Sequence, residues 1–321
     1  MAWSALIPRQ RSNNGIPGGI ARVKILANRW CFLAVCISLL LPVSAWGAAA
    51  LRVVNVPVAD MFSHPTADAD VVSQATYGNT VGVITRQSGW TEIRTLDDQY
   101  TGWVPDADLL QEKVGDTYAS KGQVAVVEEL EAHLYREPDL TKHAPVLTVP
   151  FETHLEITEV RPDGRWLKVR LVDGRSAWVQ QGDVHLYPDA TKIPKGSMTI
   201  PQMVAFSHRF LGLPYTWGGR SSFGYDCSGF TQMLMRQRGY SIPRDADIQA
   251  AWSGFESIPV TSLQAGDLLY FGHDGKITHT GMYIGNNQFI HATVSGHPVI
   301  QISELNDHWR KLLIAERRVK Q

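Results

Sequence analysis

Between residues 51 and 188, apolar and polar residues alternate in short runs: Thr80-Val81-Gly82-Val83-Ile84, Thr91-Glu92-Ile93, Leu155-Glu156-Ile157-Thr158-Glu159-Val160 and Trp166-Leu167-Lys168-Val169-Arg170. A strand points successive side chains to opposite faces, so this pattern predicts half-buried β-strands. Asp163-Gly164 and Asp173-Gly174 are turn signals beside those runs and favour compact antiparallel barrels. The pattern also repeats. Met61-Phe62, Gly89-Trp90 and Gly102-Trp103-Val104 return as Leu134-Tyr135, Arg165-Trp166 and Ala177-Trp178-Val179, with a period of about 75 residues. Two small β-barrels are expected, over 48–115 and 116–188. An aromatic recurring at one repeat position more often fills a core than binds a ligand, so Trp90, Trp103, Trp166 and Trp178 are expected to be core residues.

The period changes after this repeat. Asp189 to Ser197, with Pro194 and Gly196, reads as a linker, and a third unit is expected over 198–321. Cys227 to Arg238 lacks proline, carries Phe230, Met233, Leu234 and Gln237 at helical spacing, and is followed by Gly239. A glycine-capped helix is predicted there. Two strand-like runs follow, Thr280–Ile284 and Gln288–Ile290, separated by Gly285-Asn286-Asn287, which is a hairpin signal. The fold class is therefore α+β, with a helix on an antiparallel sheet after two β-barrels.

The first 47 residues hold five basic residues and no acidic one, then an apolar run from Trp30 to Leu41 and the small-residue site Ala45-Trp46-Gly47. This is the pattern of a secretory signal, and the run is short for a membrane span. The mature chain is expected outside the cytoplasm, secreted or periplasmic, with no membrane attachment after cleavage. Loss of that segment takes the formal charge from −1 to −6 and leaves Cys227 as the one remaining thiol, since the other two cysteines are Cys31 and Cys36. A negative chain without a Lys/Arg cluster is not expected to bind nucleic acid. A monomer is expected.

Cys227 carries the candidate chemistry. It stands at the start of the predicted helix, where free backbone amides and a nearby imidazole favour a thiolate, so a depressed thiol pKa is expected. The hairpin brings His279 and His291 opposite each other, so that one serves as base and the other orients it. His273 belongs to a turn-rich surface stretch, and nothing assigns His208, His297 or His308. A zinc site from Cys227, His279, His291 and Asp226 lacks a ligand-spacing motif and would make adjacent residues ligate together. No cofactor is called for.

Leu213-Pro214-Tyr215-Thr216-Trp217-Gly218-Gly219, Asp226-Cys227-Ser228-Gly229-Phe230, Leu263-Gln264-Ala265-Gly266-Asp267-Leu268, His279-Thr280-Gly281-Met282-Tyr283-Ile284-Gly285 and Phe289-Ile290-His291-Ala292 follow in that order over about 120 residues. Together they resemble the NlpC-type papain-like cell-wall peptidases. The resemblance implies Cys227 as nucleophile, His279 as base, His291 as the orienting residue and Tyr215 as part of the oxyanion site. Two SH3-like units before such a domain are similar to the γ-D-glutamyl-L-diamino acid endopeptidases, whose substrates are peptidoglycan stem peptides. That similarity implies Asp226 and Ser228 near a free N-terminal amine of the substrate, with Tyr100 and Asp98 as candidates from the first SH3-like unit. A crosslink-cutting endopeptidase or amidase, and a wall-binding protein without catalysis, are the alternatives.

Overall fold

The computed structural model describes residues 50–112, 117–162 and 164–320. The expected leader, both of its cysteines and Asp163 lie outside the described residues. Among the described residues no helix is long and apolar enough to cross a membrane.

Strands β1 (Leu51–Val54), β2 (Val58–Phe62), β3 (Val71–Thr76), β4 (Thr80–Gln87), β5 (Trp90–Thr95), β6 (Thr101–Pro105) and β7 (Leu109–Gln111) form one antiparallel sheet in the order β3-β2-β6-β5-β4-β1-β7. Seven further strands follow: β8 (Val124–Val127), β9 (Glu131–Tyr135), β10 (Leu147–Pro150), β11 (His154–Val160), β12 (Trp166–Arg170), β13 (Ser176–Gln180) and β14 (Val184–Tyr187). Their order, β10-β9-β13-β12-β11-β8-β14, repeats the first strand for strand. The sequence repeat is thus a repeat of topology.

Three of the four tryptophans do not fill these cores. Trp90, Trp103 and Trp178 are half-buried, and only Trp166 is buried. Alternation is the reason. In Gly102-Trp103-Val104 the flanking residues point inward, Gly102 leaving space for Met61, so Trp103 must point outward. The interior of the first sheet is aliphatic instead, built from Val54, Ala59, Met61, Ala75, Val81, Ile93 and Val104. Each copy keeps an edge-to-face aromatic pair at equivalent positions, Phe62–Trp90 at 5.4 Å and Tyr135–Trp166 at 5.7 Å between centroids.

The stretch over 189–197 is largely exposed but closely packed at one point. Gly196, at φ +87°, runs so close to the end of the cysteine helix that a Cβ there would overlap the Arg236 carbonyl. Helix α1 (Ile200–Ser207) then begins with a Thr199/Gln202 capping box. The short strands β15 (Arg220–Ser221) and β16 (Gly224–Tyr225) lead into α2 (Cys227–Gln237), and α3 (Ala246–Ala250) follows. Strands β17 (Phe255–Ser257), β18 (Leu268–His273), β19 (Lys276–Gly285), β20 (Gln288–Thr293), β21 (Val299–Glu304) and β22 (Leu313–Val319) form an antiparallel sheet in the order β17-β22-β18-β19-β20-β21, with α4 (Asp307–Leu312) before its last strand. Phe230, Met233 and Leu234 of α2 share one buried cluster with Leu268, Tyr270, Met282 and Ile290 of this sheet. Each such side chain stabilises by about 1.5–3 kcal/mol, enough to hold the start of α2 against β19. Phe151 from the second sheet enters the same cluster, so the core of this third unit continues into the repeat.

Candidate active site

Cys227 is the first residue of α2. Its neighbour Asp226 caps the helix by accepting from the Gly229 N–H at 2.7 Å. The cysteine is 8% exposed, and the backbone N–H groups of Thr280 and Ser228 donate toward its sulfur. Burial, and after it the charge of Asp226, push the thiol up to about 12 despite those amides and Arg244. The expected depressed pKa is therefore corrected. Helix start and imidazole are visible in the sequence, but the burial that outweighs them is not.

The two histidines meet across a hairpin. Asn286 and Asn287, at φ +50° and +59°, form its left-handed two-residue turn, and Met282 and Tyr283 pair with Ile290 and Phe289. His279 Nε2 lies 2.7 Å from His291 Nδ1, and His291 Nε2 lies 2.9 Å from Ser303 Oγ on β21. Gly281 makes this approach possible. A Cβ there would stand 2.9 Å from both His291 Cβ and Phe289 Cδ2, displacing the ring that must reach His279. Burial lowers the His279 imidazole to about 4, and lowers the fully buried His291 as well, His279 adding to the effect. Thiol and imidazole thus both rest neutral at ordinary pH. Trp309 of α4 covers the pair, its ring centroid 5.5 Å from His279 and 5.1 Å from His291.

Tyr215 is half-buried, bridges to Tyr225, and remains a phenol: burial raises its pKa, followed by the nearby Cys227 and Asp226. Its hydroxyl therefore keeps its proton and can donate a hydrogen bond, within reach of the charge on Cys227. His273 is exposed at the end of β18, and His208, His297 and His308 are exposed as well.

Asp226 and Ser228 lie beside the cysteine but are not free. Arg244 donates to Asp226 through Nη2–Oδ2 at 2.6 Å and Nη1–Oδ1 at 3.0 Å, and its Nη1 also donates to Ser228 Oγ at 2.8 Å. Arg244 carries no signal of this role in the sequence. It is one cation in the charge-dense run Pro243-Arg244-Asp245-Ala246-Asp247, and nothing in its spacing pairs it with Asp226. The carboxylate left over is Asp245, half-buried at the start of α3, which accepts from Tyr100 Oη at 3.2 Å on each oxygen. Burial raises its pKa, against the influence of Arg244 and Tyr100. Asp98 turns elsewhere, accepting from Gln232 Nε2 at 3.0 Å and lying 3.5 Å from Arg220 Nη2. Tyr100 thus reaches the rim of the site, whereas Asp98 braces the back of α2.

A profile of the NlpC/P60 family matches residues 212–318, and one of the bacterial dipeptidyl-peptidase Sh3 domain matches residues 61–109. The chain is 32% identical over 232 residues to the gamma-D-glutamyl-L-lysine dipeptidyl-peptidase of Bacillus cereus, covering 68% of this chain and 66% of that protein. To the protein of the same name from Bacillus subtilis it is 30% identical over 261 residues, covering 78% and 82%. A crystal structure of an NlpC/P60 family protein from Bacillus cereus superposes with a TM-score of 0.72 at 24% identity, over 84% of this chain and 99% of that one. An NlpC/P60 endopeptidase from Photobacterium damselae subsp. piscicida superposes at 0.56 with 16% identity, over 84% and 72%; these two structures establish likeness of fold. Motif, topology and relatives converge, and the chain belongs to the NlpC/P60 family of cysteine peptidases.

Proposed function

We propose that this protein is a cysteine dipeptidyl-peptidase of peptidoglycan stem peptides, cutting the γ-D-glutamyl bond to the diamino acid in peptides with a free N-terminal L-Ala. The carrying observation is the 2.7 Å contact between His279 Nε2 and His291 Nδ1, next to a sulfur that receives the Thr280 N–H. It leaves His279 Nδ1 as the nitrogen available to a thiol. Cys227 is the nucleophile, His279 the base and His291 its orienting partner. Because thiol and imidazole rest neutral, the proton moves from sulfur to Nδ1 as sulfur attacks the γ-carbonyl carbon. The oxyanion is met by the Tyr215 hydroxyl and the Cys227 backbone N–H at the helix start. His279 then protonates the departing amine, and water resolves the acyl-enzyme.

The free amine is met at Asp245 and the Tyr100 hydroxyl. Arg244 already balances Asp226, so Asp226 and Ser228 act by holding that arginine and the helix start in place. We read the second sheet as a second SH3-like unit on its strand order, giving SH3-like units over 48–115 and 116–188 ahead of a papain-like domain over 198–321. Residues 1–47 are read as an export leader on their basic and apolar pattern, and a secreted product that retains them would refute this.

The test uses L-Ala-γ-D-Glu-diamino acid peptides, free and N-acylated, with products weighed by mass spectrometry. The free peptide should release L-Ala-γ-D-Glu, and the acylated one should react at least ~10²-fold more slowly, because acylation removes the cation that the half-buried Asp245 carboxylate would meet and adds bulk there. Comparable rates would overturn the amine reading in favour of an intact-wall endopeptidase. Cys227→Ala should lose more than ~10³-fold; retained turnover would remove sulfur from the mechanism. Alkylation of the resting enzyme by iodoacetamide should be slow at neutral pH and climb at alkaline pH. A rate that stays high below neutral pH would mean a preformed ion pair.

A further inference from the structure

The line of contacts from the cysteine does not end at His291. His291 Nε2 lies 2.9 Å from Ser303 Oγ, and His291 is fully buried, so this contact satisfies its far nitrogen. The register produces it without strain. His291 faces Gln301 on β21, while Ser303 faces Phe289, two residues along on the same face, so serine and histidine are diagonal neighbours. Around the ring stand Phe289, with centroids 4.5 Å apart, Trp309 at 5.1 Å and His279 at 5.0 Å. His279 is the ionisable neighbour whose charge acts on it.

We propose that Ser303 is a positioning residue that holds the His291 ring in the orientation that presents its Nδ1 to His279, from which His279 can take the thiol proton. The proposal rests on the reading of His279 as base. A neutral imidazole carries one N–H and one lone pair. For Nδ1 of His279 to accept a proton, its Nε2 must carry the hydrogen and donate to Nδ1 of His291. His291 must then carry its own hydrogen on Nε2, which is the atom facing Ser303. The hydroxyl can accept that hydrogen, and in the opposite arrangement it would donate to Nε2 instead, so what it fixes is the orientation of the ring. When His279 becomes doubly protonated during attack, the same direction of donation persists along the line, so no ring need turn. In the opposite arrangement His291 donates to His279, His279 Nδ1 bears a hydrogen, and the thiol has no acceptor. Without Ser303, the buried Nε2 of His291 loses its partner in either arrangement, and nothing favours the ring orientation that presents Nδ1 to His279.

Ser303→Ala and Ser303→Thr, made in the full chain, test this. Ser303→Ala should lower kcat about tenfold, the equivalent of one neutral hydrogen bond, with KM within about twofold. Threonine keeps the hydroxyl and should restore most of the loss. In histidine-¹⁵N-labelled protein, the His279 ring signals should report mainly the Nε2–H tautomer in wild type and the threonine variant, and a mixture in the alanine variant. An unchanged tautomer signature in Ser303→Ala, or equal impairment of the alanine and threonine variants, would overturn the proposal. The ring signals do not depend on turnover, so they decide the role of Ser303 even if none of the stem peptides is cut.

Discussion

The two seven-stranded sheets share one strand order yet meet the catalytic unit in different ways. The first touches both groups near the nucleophile and the flank of α2 behind it. Ser73 Oγ lies 3.3 Å from Nε of Arg244, Gln74 accepts from the Arg220 N–H at 2.9 Å, Asp97 and Asp98 pair with Arg220, and Tyr100 reaches Asp245. The second touches the other end of α2 and the core beneath it. Glu152 pairs with Arg236 through Oε2–Nη2 at 2.5 Å, the Phe151 N–H donates to Ser222 Oγ at 2.9 Å, and the Phe151 ring is buried among catalytic-unit residues. A repeated architecture therefore does not imply a repeated task. One copy reaches the rim of the site as well as bracing α2, and the other supports only the scaffold behind it.

Three substitutions test this division. Arg244→Met should have the largest effect, because it leaves Asp226 buried without its cation while cutting the link to Ser73. A stability loss of about 3–5 kcal/mol in urea unfolding is expected, with loss of activity. Near-native stability would make the first copy's grip on the site incidental. Arg236→Ala breaks the second copy's ion pair, which is roughly one-third exposed, so about 1 kcal/mol of stability should go while kcat/KM stays within about twofold. An activity loss matching that of Arg244→Met would erase the distinction between the copies. The most conservative change is Tyr100→Phe, which removes one hydroxyl. It should raise KM for the free-amine peptide about tenfold, as for loss of one hydrogen bond to a charged group, and leave stability unchanged. An unaltered preference for free over acylated peptide would reduce the first copy to a passive wall.

Much of this was legible in the sequence, and what was not shares a cause. The repeat and the β19–β20 hairpin rest on local signals, alternation and Asn286-Asn287, and both form. The motif order pointed to the family, to which the relatives also lead. Arg244, Ser303 and Trp309 carried no local signal. They reach the site through helix caps and strand order that join residues far apart in the chain. Trp90, Trp103 and Trp178 depart from the core expectation, which Trp166 meets, because recurrence at one repeat position does not reveal which strand face that position occupies; for Trp103 the flanking Gly102 and Val104 hold that information. The thiol expectation failed for a related reason, since a helix start is visible in a sequence and its desolvation is not.

Gly281 contributes to this site by having no side chain. Anyone grafting the cysteine–histidine machinery onto another scaffold would copy the reactive groups first and find the second imidazole unable to seat, because the host strand would carry a methyl where this one carries a hydrogen. The minimal transplant is thus not three side chains but three side chains and one empty position across the hairpin.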